Sequence, residues 1–128
     1  MNQLTHGLII GLILVLGSCT FDNEEEIFPP EDGGNGCETS NISYLTDVVP
    51  ILQFNCYTCH GDNTFNSLGS NIHLEGYDNL KVYVDNGRFF GAINRDQGFS
   101  PMPRNAPKLD QCDLDQIKSW IDAGALNN

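Results

Sequence analysis

The clearest chemistry in the chain sits in five consecutive residues, Cys56-Tyr57-Thr58-Cys59-His60. Two thiols three positions apart, followed at once by an imidazole, can share one side of a single helical turn. C-x-x-C-H is the attachment signature of c-type haem. On one turn the Cys56 and Cys59 thiols reach the two vinyl groups of one porphyrin as covalent thioethers, and His60 then falls under the iron as proximal ligand. Three other chemistries use the same residue types. A thioredoxin-like C-x-x-C belongs in a βαβ pattern, whereas here a helical pattern precedes the motif and a Gly-rich stretch follows it. A zinc site needs a fourth ligand, which His73 or Cys112 could supply, but it usually comes as two paired half-sites. A disulfide inside the motif would be strained. One haem c is the expected cofactor.

A second axial ligand decides what such an iron can do. Met102 is the one methionine beyond Met1 and lies in Ser100-Pro101-Met102-Pro103. Prolines restrict the backbone and hold the thioether at small entropic cost. The rival is His73, in Asn71-Ile72-His73-Leu74, and an open site is the third possibility. Met102 is the expected distal ligand, and a His/Met pair raises the reduction potential. Arg88, Arg95 and Arg104 are three of only six basic residues and are the candidates for pairing with haem propionates, without a choice among them. Trp120 and Tyr57 read as core or haem-packing residues.

These groups need elements to hold them. Ser43 to Phe54 places Tyr44, Leu45, Val48, Val49, Ile51 and Leu52 on a helical face, with Pro50 marking a start or a kink. Tyr77 to Val84 reads as a short helix ended by Asn86-Gly87, with a strand as alternative, and Arg88 to Asn94 as a further helical turn. Leu114 to Ala123 carries a stripe of Leu114, Ile117, Trp120 and Ile121, with Asp113 as expected N-cap and Gln116 completing a capping box. No period-2 alternation and no repeat occur. The expected class is all-α, with short helices and long loops over 61–76 and 94–110. Loops of that length argue against a simple bundle and suit a chain wrapped around a large apolar cofactor.

The N-terminal region is of another kind. Gly7 to Gly17 is an 11-residue apolar run, short of the roughly 20 residues that span a bilayer but the length of a signal-peptide core. Leu16-Gly17-Ser18-Cys19 follows it and resembles a bacterial lipobox, in which the cysteine is lipidated. Residues 1–18 are thus expected to be a lipoprotein signal peptide, with Cys19 the anchor; several acyl chains hold a protein stably at a membrane. Residues 19–36 carry six acids, no base, two prolines and three glycines. Such a stretch buries too little apolar surface to offset its ordering entropy, and it reads as an acidic flexible tether. Residues 37–128 form the expected domain.

The whole chain has 17 acidic and 6 basic residues, a formal charge of −11, which speaks against nucleic-acid binding. Six of the acids lie in the tether, leaving the domain at −5.

With these motifs in place, the chain resembles the class I cytochrome c family. In that family a helix leads into C-x-x-C-H, a loop brings a distal methionine, and a C-terminal helix packs across the N-terminal one. The matching residues are Val48 to His60, Met102 in its Met-Pro loop, and the segment from Ile117 to Ala125, ending Trp120-Ile121-Asp122-Ala123-Gly124-Ala125. The middle of the chain matches poorly. The resemblance implies a small cytochrome c-like fold around one haem and helices that would bring Cys37 and Cys112 together as a disulfide. It implies a non-enzymatic electron carrier with a monomeric domain, and the lipobox would place it in the bacterial cell envelope, facing the periplasm or the exterior. Its redox partners would carry basic docking patches. A haem-based gas or redox sensor, or a peroxidase-like enzyme with an open distal site, is the alternative.

Overall fold

A computed structural model describes residues 36–128. The signal peptide, Cys19 and all of the tether except Gly36 lie outside the described residues. Among the described residues there are helices and no strand, so the domain is all-α, as the sequence implies.

Ser43 opens the first helical stretch. Its hydroxyl accepts from the Thr46 amide while its own amide donates to the Asp47 carboxylate at 2.7 Å, so two otherwise unpaired groups are met at once. Tyr44–Val48 then forms a π-helical turn, continued by α1, Val49–Asn55. Pro50 sits in the first turn of α1, where its lack of an N–H costs nothing. Burial follows Tyr44, Val48, Ile51 and Leu52. Leu45, which the pattern places on the buried face, is 62% exposed. The wider π turn changes the angular register of its residues relative to the 3.6-residue repeat on which that expectation rests.

Cys56 breaks the regular backbone between α1 and α2, Tyr57–His60. α3 spans Tyr77–Asp85 and α4 spans Arg88–Asn94, so the strand alternative for the first of these is not adopted. α5 runs Gln111–Asp122. Its start corrects the expected cap: Asp110, not Asp113, is the N-cap, and its carboxylate accepts from the Asp113 amide at 2.9 Å. Asp113 therefore lies three residues inside the helix. Gln116 is not part of a capping box and instead donates to the Glu38 carbonyl at 2.9 Å. Gln111 and Cys112, which precede the apolar stripe, are helical once Asp110 has capped the turn.

Val48, Leu52, Leu80, Leu114, Ile117 and Trp120 are the fully buried centre. Tyr44 joins the first and last helices of the described residues: it stacks on Trp120 with ring centroids 5.6 Å apart and meets Tyr77 edge-on at 5.3 Å. Pairs of this kind add about 0.5–1.5 kcal/mol beyond the area they bury. The polar tips are satisfied, Trp120 Nε1 donating to the Leu126 carbonyl at 2.8 Å and the Tyr77 hydroxyl to that of Ala125 at 2.7 Å. Asn128 closes the arrangement, its backbone oxygen accepting from the Leu45 amide at 3.0 Å and its side-chain oxygen from the Tyr44 amide at 2.9 Å. Cys37 and Cys112 form a disulfide with Cα atoms 5.6 Å apart, tying the segment before the first helix to the first turn of α5.

Candidate functional site

α1, α2, α4 and the two long loops leave between them a cavity of about 960 Å³. That is at the upper end of the ~300–1,000 Å³ usual for small-molecule and cofactor sites. Cys56, Cys59, His60 and Met102 all line it. The structure thus brings together four residues up to 46 positions apart in the sequence. Cys56 is buried and Cys59 exposed, and both are free thiols. Burial pushes the Cys56 thiol up to about 12, with a smaller push from Cys59, so it stands neutral at physiological pH.

His60 is oriented by the backbone. Its Nδ1 lies 2.9 Å from the Ile72 carbonyl oxygen. A carbonyl can only accept, so Nδ1 carries the proton and donates, and Nε2 is left as the nitrogen with its lone pair free. A carbonyl behind Nδ1 is the usual device for setting the tautomer and ring plane of a metal-binding histidine. Gly69 makes the approach possible: a Cβ there would stand 2.5 Å from the Cys59 carbonyl oxygen and 2.9 Å from both His60 Nδ1 and Phe65 Cα. The loop over 61–76 is less irregular than its composition suggests. It is a succession of tight turns, with Thr64, Phe65, Leu68, Asn71 and Ile72 amides all bonded within it.

The Met102 loop is pinned to α4. The Met102 amide donates to the Ala92 carbonyl at 3.0 Å. Lys108 reaches Asn94 Oδ1 at 2.8 Å, and Arg95 donates to the Ala106 carbonyl at 2.6 Å. Gly91 allows the Phe99 ring, itself on the cavity wall, to lie flat on α4, since a Cβ would meet that ring at 2.7 Å.

The remaining candidates separate cleanly. Arg88 and Arg104 are on the cavity wall, whereas Arg95 is not. Not one of the domain's carboxylates lines the cavity. His73, the rival distal ligand, is elsewhere: its Nε2 lies 2.6 Å from Asp62 Oδ1 and its ring stacks on Phe65 at 4.3 Å. Trp120 belongs to the core, away from the wall, and Tyr57 is half-buried against that core. Burial, then the neighbouring Tyr44, raises the Tyr57 phenol well above its ordinary range. Among the described residues no group of three or more His, Cys, Asp or Glu is placed to hold a bare metal ion, so the zinc alternative, with Cys112 taken by the disulfide and His73 by Asp62, lacks its fourth ligand.

The residues fit a haem. A cavity of mixed polar and apolar lining with one oriented imidazole, two thiols on the adjacent turn, a thioether and two guanidiniums offers matching chemistry for the iron, vinyl and carboxylate groups of that cofactor. Sequence reasoning alone does not locate the Ile72 carbonyl or Gly69, because a carbonyl acceptor has no residue-type signal and a close approach is visible only in three dimensions.

No protein-family model matches the chain, and neither a curated protein nor a solved structure matches it. What can be said of class is therefore that the domain is an all-α fold around one large cavity. Among the described residues no helix is long and apolar enough to cross a membrane.

Proposed function

We propose that the protein is an electron carrier with one haem c, similar in kind to the class I cytochromes c. The observation that carries this reading is the convergence of Cys56, Cys59, His60 and Met102 on one cavity, with the His60 proton committed to Ile72. Cys56 and Cys59 would hold the cofactor as thioethers, with His60 Nε2 and the Met102 sulfur as axial ligands. A bound haem would supply the chemistry of one-electron transfer between ferric and ferrous states.

The chain's own part is to hold geometry. Ile72 fixes the His60 ring, and Ala92 with the prolines around it fixes Met102. With His60 and Met102 both held as ligands, the iron would keep no position open to a substrate. Small rearrangement between oxidation states is the property that fast electron transfer needs. Arg88 and Arg104 suit the cofactor's carboxylates. His73, the one histidine that could have served as a distal acid–base group, is held by Asp62 outside the cavity, which weakens the peroxidase-like alternative. A lipidated Cys19 and the acidic tether would keep the domain at a membrane of the cell envelope, free to swing between donor and acceptor. A domain charge of −5 favours partners with basic docking patches, and their on-rate should fall as salt rises.

The visible spectrum tests this, recorded oxidised and reduced after expression in a host that attaches haem c. The wild type should show sharp reduced α and β bands and a weak red band when oxidised, and Met102→Ala should lose the red band. Ready carbon monoxide binding by the reduced wild type would instead favour the sensor or enzyme reading. Absence of any attached haem would overturn the proposal.

A further inference from the structure

We propose that His73 is a positioning residue for His60, acting through the peptide on either side of it. This deepens the haem reading and rests on it only for its functional consequence. Residues 72–74 cross behind His60 in a non-helical segment. The residue before His73 accepts from His60 Nδ1 through the Ile72 carbonyl, at 2.9 Å. The residue after it donates to the His60 carbonyl through the Leu74 amide, also at 2.9 Å. Successive side chains of an extended segment alternate in direction: Ile72 and Leu74 line the cavity, and His73 does not.

His73 is held on its own side by two groups from the turn that follows His60. Asp62 Oδ1 lies 2.6 Å from Nε2, and the Phe65 ring is stacked 4.3 Å away with an interplanar angle of 12°. Asp62 is itself fixed, its amide donating to Glu75 Oε2 at 2.7 Å. The segment behind the proximal histidine is therefore clamped to the turn in front of it. The His73 side chain is 24% exposed and that of Asp62 62% exposed, so the clamp sits at the surface while its effect is felt at the buried Nδ1–H···O bond. That bond sets how much electron density His60 Nε2 can offer an iron. Loosening the clamp should lengthen the bond, make Nε2 a poorer donor to ferric iron, and raise the reduction potential.

The test compares wild type with His73→Leu, Asp62→Ala and Asp62→Asn in the full chain. Proton exchange at His60 Nδ1, followed by nitrogen-edited NMR, should quicken by about tenfold in His73→Leu and Asp62→Ala, equivalent to about 1.4 kcal/mol. It should stay within about twofold of wild type in Asp62→Asn, which keeps an oxygen acceptor for the ring N–H. The haem-loaded potential should rise in the first two variants and not in the third. Far-UV circular dichroism checks that the exposed Asp62 position leaves the fold intact. Unchanged exchange in His73→Leu overturns the clamp. So does an Asp62→Asn variant that behaves like Asp62→Ala, because the carboxylate charge would then be acting directly. A wild type that takes up no haem overturns the proposed function instead, and exchange in the haem-free chain still decides the clamp.

Discussion

Gly69→Ala puts one methyl group where the packing behind His60 leaves no room. Its Cβ would stand 2.5 Å from the Cys59 carbonyl oxygen and 2.9 Å from two further atoms, all closer than ordinary van der Waals contact. Two of the three are backbone atoms, and the third is the Nδ1 that must keep its bond to Ile72. None can swing aside like the tip of a long side chain. Overpacking of this kind costs about 1–3 kcal/mol, and rigid neighbours place Gly69 in the upper half of that range. Removing a glycine also restricts the unfolded chain, which returns about 0.4–1 kcal/mol. The net loss is then about 1–2.5 kcal/mol, or about 5–12 °C in melting temperature for a domain of this size. Thermal unfolding followed at 222 nm measures it. Gly87→Ala is the control: Gly87 has φ +75° and no atom within 4 Å of its would-be Cβ, so it should lose only the ~1–2 kcal/mol of a left-handed non-glycine residue without altering His60. The NMR signal of the His60 ring should move in Gly69→Ala and not in Gly87→Ala. A Gly69→Ala protein as stable as wild type, with an unmoved His60 signal, would refute the packing argument.

Replacing Cys37 and Cys112 together by serine opens a loop of 76 residues, for which chain entropy sets a loss of about 4.5 kcal/mol as an upper value; urea unfolding should show a loss of about 3–4 kcal/mol, and a change under 1 kcal/mol would mean that the unfolded chain is already constrained. Trp120→Phe removes the indole donor to Leu126 and part of the stack on Tyr44 and should cost about 1–3 kcal/mol in the same assay, since the smaller ring leaves unfilled space at a fully buried position and loses one hydrogen bond. Burial raises the Tyr57 phenol in the folded state, so the unfolded chain releases that proton first. The contribution of Tyr57 is fully present below about pH 10 and declines as pH rises beyond it; Tyr57→Phe should narrow the difference in unfolding free energy between pH 8 and pH 11.

The C-x-x-C-H motif and the helices are legible because each rests on local signals. C-x-x-C-H is contiguous, and α3, α4 and most of α5 announce themselves by apolar spacing and by the Asn86-Gly87 stop. The cap of α5 was misplaced since Asp113 and Asp110 are equally good capping residues, and only the geometry chooses Asp110. Apolar spacing alone puts Leu45 on the core face, because a π turn has no residue-type signature. The Cys37–Cys112 pair followed from the resemblance and not from spacing. Which arginines face the cavity, and the service of the Ile72 carbonyl to His60, depend on how two long loops close over α4. Those loops are held by backbone amides and lone hydrogen bonds such as Arg95 to Ala106, which composition does not report.

The four cysteines of the described domain could pair in three ways, and only Cys37 with Cys112 leaves Cys56 and Cys59 for a cofactor. If the proposed haem is attached in an oxidising compartment, attachment and thiol oxidation would compete during maturation. Cys59 is exposed and open to attack, while the neutral, buried Cys56 is a poor nucleophile until something draws it out. A chain that folds before its thiols are used therefore shields one of them and risks the other. On that proposal, the unequal burial of two residues three positions apart would require attachment first or a reductant kept nearby.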